Sequence, residues 1–281
     1  MTKPDETTTD AARVLTQADC LRPAWNVSPR VRALVTTRAG GVSLPPYGRW
    51  ASEREAPGGL NLGLHTGDDP AHVECNRGRL LSLAGVRAAW LEQIHGDVVV
   101  RADEVPLDAP VRADASVTAV PGVACLVMVA DCLPVLLCDP LGRAVGAAHA
   151  GWRGLTAGIV EKTALRVAEL AQCAPDTLHA YLGPAIGPAA FEVGDDVRAA
   201  FLAAAGQAEQ AATARAFVPR EGTNGKHLAD LYALARLRLA RLGVTEIAGG
   251  DLCTVTDRER FYSYRRDRVT GRMAALVWLA D

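Results

Sequence analysis

The chain has 281 residues, 49% of them apolar, which is enough to build a sizeable core in one large domain. Thirty Lys and Arg stand against 32 Asp and Glu; this formal net charge of −2 leaves no electrostatic footprint for nucleic acid or an anionic membrane. No apolar run reaches the roughly 18 residues of a spanning helix, and seven cysteines without a CxxC pair argue against a disulfide framework and for the cytoplasm.

Residues 1–22, biased to Thr and Asp, read as a leader without the basic start and apolar stretch of a secretory signal, so 23–281 are expected to form a single domain. "VRALVTTRAGGVS" is β-rich and ends at a Gly40-Gly41 turn, and residues 44–60 read as a surface loop. "DDPAHVECNRGRLLSLAGV" predicts a helix with Asp69 as N-cap, Pro70 just inside and Gly85 near its stop. "VACLVMVA", "PVLLCD" and "AVGAAHA" are continuous apolar runs, as expected of strands covered on both faces.

"GLTAGIVEKTALRVAELA" carries Ile159, Val160, Thr163, Val167 and Leu170 at helical spacing, with Thr156 near its start. "LHAYLGPAIG" returns to strand, "VGDDVRAAFLAAAG" predicts a helix closed by Gly206, and residues 207–225 read as an excursion. In "HLADLYALARLRLARLG", Leu231, Leu234, Ala235 and Leu242 face inward, Arg236, Arg238 and Arg241 mostly outward, and Gly243 fits the C-cap. "RFYSYRRDRVTGRMAALVWLA" reads as a hairpin turning near Thr270-Gly271. Strands and helices interleave without a clean βαβ repeat, which predicts an α/β or α+β domain with mixed sheets and helices outside.

Four of the six histidines sit in polar, glycine-containing contexts: His65, His95, His149 and His227. Two imidazoles and a thiolate, His95, Cys132 and His149, make a borderline-soft set that suits zinc and leaves one coordination position open. A rival arrangement makes Cys132 a nucleophile with His149 as base and Asp131 or another carboxylate nearby. A third leaves all three ordinary, a core thiol and two turn histidines. In "GAAHAGWRGL", Gly151 and Gly154 bring backbone close to whatever His149 touches, and Arg153 offers a fork for phosphate or carboxylate, or else a solvated charge beside a tight turn. No GxGxxG, Walker A, GxSxG or HExxH is present.

"LNLGLHTGDDP", "LEQIHGD", "ADCLPVLL", "AAHAGWRGL", "LGPAIGPAAFEVG" and "FYSYRRDRVTGRMAALVWL" together resemble the YfiH-type family, from about Ala24 to the C-terminus. That family has been named multicopper polyphenol oxidase or laccase-domain protein, and also purine nucleoside phosphorylase. The resemblance implies a four-layer α/β/β/α fold, shared with toxin-like cysteine hydrolases. It implies zinc held by His95, Cys132 and His149, phosphorolysis of adenosine, inosine and S-methyl-5'-thioadenosine, and adenosine deamination. Purine nucleosides and phosphate are then the partners, for a monomer or weak homo-oligomer. Arg38, Asn61, His65, Arg153 and Arg265 are the expected substrate contacts. Copper fits less well, since six scattered histidines are too few for several coppers. An alternative attached to the family is a cysteine-dependent amide hydrolase that edits peptidoglycan precursors.

Overall fold

A computed structural model describes residues 15–106 and 109–281. Eleven strands form two mixed sheets. They are β1 (Cys20–Leu21), β2 (Val31–Thr36), β3 (Arg87–Ala89), β4 (Val99–Arg101), β5 (Ala115–Thr118), β6 (Val123–Val129), β7 (Leu133–Cys138), β8 (Val145–Ala150), β9 (His179–Leu182), β10 (Glu246–Gly249) and β11 (Met273–Leu279). One sheet has the order β1-β2-β11-β6-β3, the other β10-β9-β7-β8-β5-β4. Among the described residues, seven α-helices accompany them: α1 (Pro70–Ala84), α2 (Trp152–Ala157), α3 (Ile159–Ala171), α4 (Asp195–Ala203), α5 (Gln210–Arg215), α6 (Leu231–Ala240) and α7 (Tyr264–Asp267).

Strand periodicity sorts the apolar runs into layers. Along β6, Cys125 and Val127 pack between the sheets with Leu136, Cys138, Val145, Ala147, Ala275 and Val277. Their neighbours Ala124, Leu126 and Met128 face the other way, onto Leu80 of α1. On the second sheet, Leu133, Val135 and Leu137 of β7 and Ala148 and Ala150 of β8 meet Val160, Val167, Leu234 and Leu239 of α3 and α6. The result is four layers, α/β/β/α, and it explains why β6, β7 and β8 are buried at every position. Each such Val or Leu contributes about 1.5–3 kcal/mol relative to exposure. Gly146 lets α3 lie close, because a Cβ there would meet Val167 Cγ2 at 2.7 Å.

Cap chemistry behaves as the sequence predicts at α1. Asp69 accepts from the Ala71 amide, Pro70 opens the helix, and Gly85 closes it at φ 67. Elsewhere the structure departs from expectation. Residues 1–14 of the expected leader lie outside the described residues, whereas Leu15 is buried and Cys20–Leu21 pairs with Val35–Thr36, so the fold begins before residue 23. The single helix expected after His149 is two, because Gly158 turns left-handed at φ 87 between α2 and α3. Helix α4 stops at Ala203, short of Gly206.

The 44–60 loop contains a small hairpin, Arg49–Ala51 with Arg54–Ala56, and the 207–225 excursion contains α5 and a strand, Phe217–Pro219. Arg238 does not point to solvent. It is buried against Phe201 and paired with Glu209 at 3.1 Å. The expected C-terminal hairpin is instead α7, capped by Ser263 Oγ accepting from the Arg266 amide, followed by β11 between β2 and β6. Among the described residues no helix is long and apolar enough to cross a membrane.

Candidate metal centre

Three segments converge where β7 and β8 carry the centre. Leu133 pairs with Ala150 and Pro134 with His149, so Cys132, just before β7, lies beside the end of β8. Asp131 is held at φ 89 by three contacts. Its carboxylate accepts from Thr254 Oγ1 and from the Arg265 amide, each at 2.6 Å, and its carbonyl accepts from the Ile186 amide at 2.9 Å. These bonds tie the start of α7 to the Cys132 turn. His95 sits on the loop after a short strand, Leu91–Glu92, with its own backbone left-handed at φ 59.

The ligating atoms of His95, Cys132 and His149 all lie within 4.8 Å of one another. Around a zinc ion such donors stand about 3.5 Å apart, so the set is within little more than about 1 Å of closing on a metal. Gly151 leaves the space for it. A Cβ there would stand 3.0 Å from Cys132 Sγ and 3.1 Å from His95 Cδ2. Gly154 has a different duty: its missing Cβ would strike the Gly96 carbonyl at 2.8 Å, so it seats α2 against the His95 loop.

Charge supports the same picture. Burial pushes the Cys132 thiol up, but His149 and His95 beside it outweigh burial and pull it well below the ordinary thiol value. Burial pushes His149 down, and the Cys132 thiolate and Asp114 outweigh that and raise it. Asp114, fully buried, is itself penalised by burial, yet bonds from His149 and from the Gly96 and Ile94 amides hold it below the usual carboxylate range. Among the described residues this is the one cluster of three such donors, which does not furnish the ligand sets of several coppers.

A cavity of about 730 Å³ contains the three donors. Ile186, Phe191, Leu231 and Trp152 give it an apolar side, and Arg265, Arg268 and Arg272 a cationic one, with His65 also on its wall. Of the expected substrate contacts, the structure places His65 and Arg265 there. Burial, then Arg272 and Arg77, lowers the His65 pKa, which keeps that imidazole neutral near pH 7. Arg265 lies over the Phe191 ring at 5.6 Å and donates to the Glu192 carbonyl.

The other three expected contacts stand elsewhere. Arg38 is completely buried and its guanidinium is spent on the Gly48 and Arg258 carbonyls and on Glu55. Asn61 is also buried, donating to Thr66 and Asp68 and accepting from the Gly63 and Arg272 amides. Arg153 is exposed over its neighbour Trp152 and does not line the cavity. Sequence reasoning missed Asp114, Gln93, Arg268 and Arg272. Gln93 both donates to and accepts from the Met128 backbone at the cavity wall. The arginines were signalled only by their closeness to Arg265 in "SYRRDRVTGR".

A family model described as multi-copper polyphenol oxidoreductase laccase matches residues 32–280. The chain belongs to this family. Among its relatives is a Pseudomonas aeruginosa protein named purine nucleoside phosphorylase PA4543, 51% identical over 93% of this chain and 98% of its own. Another is Escherichia coli purine nucleoside phosphorylase YfiH, 49% identical over 92% of this chain and 97% of its own. Of solved structures, Neisseria meningitidis protein NMB0706 superimposes with a TM-score of 0.82 at 48% identity, covering 94% of this chain and all of that one. Bacillus licheniformis YfiH, described as hypothetical, follows at 0.78 and 30%, covering 89% and 93%. The four-layer arrangement expected from the resemblance is therefore the fold of this family member.

Proposed function

We propose that the protein is a zinc-dependent purine nucleoside phosphorylase. The observation that carries this reading is one cavity holding both the His95, Cys132 and His149 donors and the cationic group Arg265, Arg268 and Arg272. The names of the relatives support it. Two nitrogens and a thiolate suit zinc, and three protein ligands leave one coordination position open. Zinc held there supplies Lewis acidity at that position.

The chain's own side chains do the remaining work. The three guanidinium groups match inorganic phosphate in charge and in fork geometry, and they orient it. Phe191 and Trp152 offer aromatic faces to a purine, while Ile186 and Leu231 help exclude water from the sugar. A phosphate oxygen then bonds to C1' of the ribose as the bond to the base breaks, and the departing purine keeps the electron pair and takes up the proton that hydrogen phosphate gives up. Neutral His65 can donate one hydrogen bond and accept another within this cavity. Adenosine, inosine and S-methyl-5'-thioadenosine are the nucleosides of this reading, and adenosine deamination is a second activity of the same site.

Purified protein should carry about one zinc per chain and release hypoxanthine from inosine only when phosphate is present. Cys132→Ser should lose both. Metal-free protein with no base release would overturn the reading. A different observation, the thiolate of Cys132 beside a His149 with raised proton affinity, favours the second reading, an amide hydrolase acting on peptidoglycan precursors. It requires that alkylation of Cys132 abolish amide cleavage by metal-free protein.

A further inference from the structure

We infer that Asp114 is the positioning residue that makes the two histidines of the centre one rigid unit, an inference that rests on the metal-site reading above. His95 and His149 come from separate segments, a loop and the end of β8, and a single carboxylate reaches both. Asp114 Oδ1 accepts from the His95 amide at 2.9 Å and lies 2.8 Å from His149 Nδ1. Asp114 Oδ2 accepts from the Ile94 amide at 3.2 Å and the Gly96 amide at 2.7 Å. The Asp114 carbonyl also accepts from the His149 amide at 2.7 Å. Four donors thus occupy two oxygens of a side chain with no exposure to water.

Two consequences follow from that arrangement. Three successive amides converge on one carboxylate where the backbone turns left-handed among them, as it does at His95 with φ 59. The conformation is unfavourable for a residue with a Cβ, and the cradle of amide bonds offsets it. The turn brings the His95 ring edge-on to the His149 ring, with centroids 4.8 Å apart. Next, a carboxylate on Nδ1 of His149 places the proton there and leaves Nε2 as the ligating nitrogen. Asparagine cannot substitute. It has one accepting oxygen, so either the Ile94 and Gly96 amides or the His95 amide and His149 Nδ1 would face an NH2 group.

The test is Asp114→Asn in the full chain, read by zinc affinity in chelator competition and by the absorption spectrum of the cobalt-loaded protein. We expect zinc binding to weaken by about 10- to 100-fold, with the thiolate-to-cobalt and d–d bands altered. Affinity within about twofold of the parent protein, with an unchanged cobalt spectrum, would overturn the inference. Should the variant not fold, ¹⁵N-histidine spectra of the parent protein decide the matter. A proton on His149 Nδ1 is expected, and a bare Nδ1 overturns the assignment. If the parent binds no zinc, the metal-site reading falls by itself, and the same spectrum of metal-free protein still judges Asp114.

Discussion

Adding one methyl group at Gly151 should damage the proposed metal centre while leaving the backbone at ease. Gly151 has φ −63 and ψ 162, which alanine adopts without strain. Its new Cβ would stand 3.0 Å from Cys132 Sγ and 3.1 Å from His95 Cδ2. Comfortable contacts are about 3.5–4.0 Å, so each ligand must retreat by roughly 0.5–1 Å. Metal sites hold their ligand distances within about 0.2 Å, several times less than that retreat. Gly151→Ala should therefore weaken zinc binding at least tenfold, about 1.4 kcal/mol. Overpacking should cost the metal-free fold about 1–3 kcal/mol. Chelator competition reads the first quantity and urea denaturation of the metal-free protein reads the second. Unchanged zinc affinity in a folded Gly151→Ala protein would refute the placement of the metal between these three side chains.

Arg38→Ala should act on stability, lowering it by about 3 kcal/mol in urea denaturation, since it leaves the Gly48 carbonyl and Glu55 without their buried partner, and KM for substrate should not move. Arg268→Ala, at an exposed position on the cavity wall, should raise KM for phosphate by about tenfold with little change in Tm. The buried Asp139 carboxylate is penalised by burial but held below its ordinary value by Arg143, 2.8 Å away. That contribution is complete above the ordinary carboxylate value near pH 4 and is lost as pH falls through the depressed one. Stability curves of Asp139→Asn should accordingly be flatter with pH below about 4 than those of the parent chain, and parallel slopes would count against the pair.

Much of the architecture was legible because it depends on neighbours in sequence. Asp69, Pro70 and Gly85 delimit α1 through bonds that span two to four residues. The unbroken apolar runs of β6, β7 and β8 announce strands covered on both faces. Failures cluster where a local signal met a tertiary one. Arg238 has the spacing of an outward residue, yet Phe201 and Glu209, from elements distant in sequence, draw it inside. "FYSYRRDRVTGRM" looks like alternating strand, yet the Ser263 cap and the bond from the Arg265 amide to Asp131 coil its middle into α7.

The candidate site divides along the same line. The residue types of His95, Cys132 and His149, their apolar and glycine surroundings and the motifs around them are properties of the sequence by itself, and they suffice to nominate a soft, three-donor metal site. Which arginines serve the cavity is not such a property. Arg38 and Arg268 differ little as residues, but one is enclosed by the Gly48 and Arg258 carbonyls and the Glu55 carboxylate and the other opens onto the cavity. Asp114 carries no sequence signal at all. Its partners lie 18–20 and 35 residues away, and only the packing of β5 beside β8 and of the His95 loop over both brings four donors to one carboxylate. Chain-local hydrogen bonding and periodicity act over a few residues. The electrostatics of a buried site is set by what folding places within about 3 Å of each charge, and that is decided only in three dimensions.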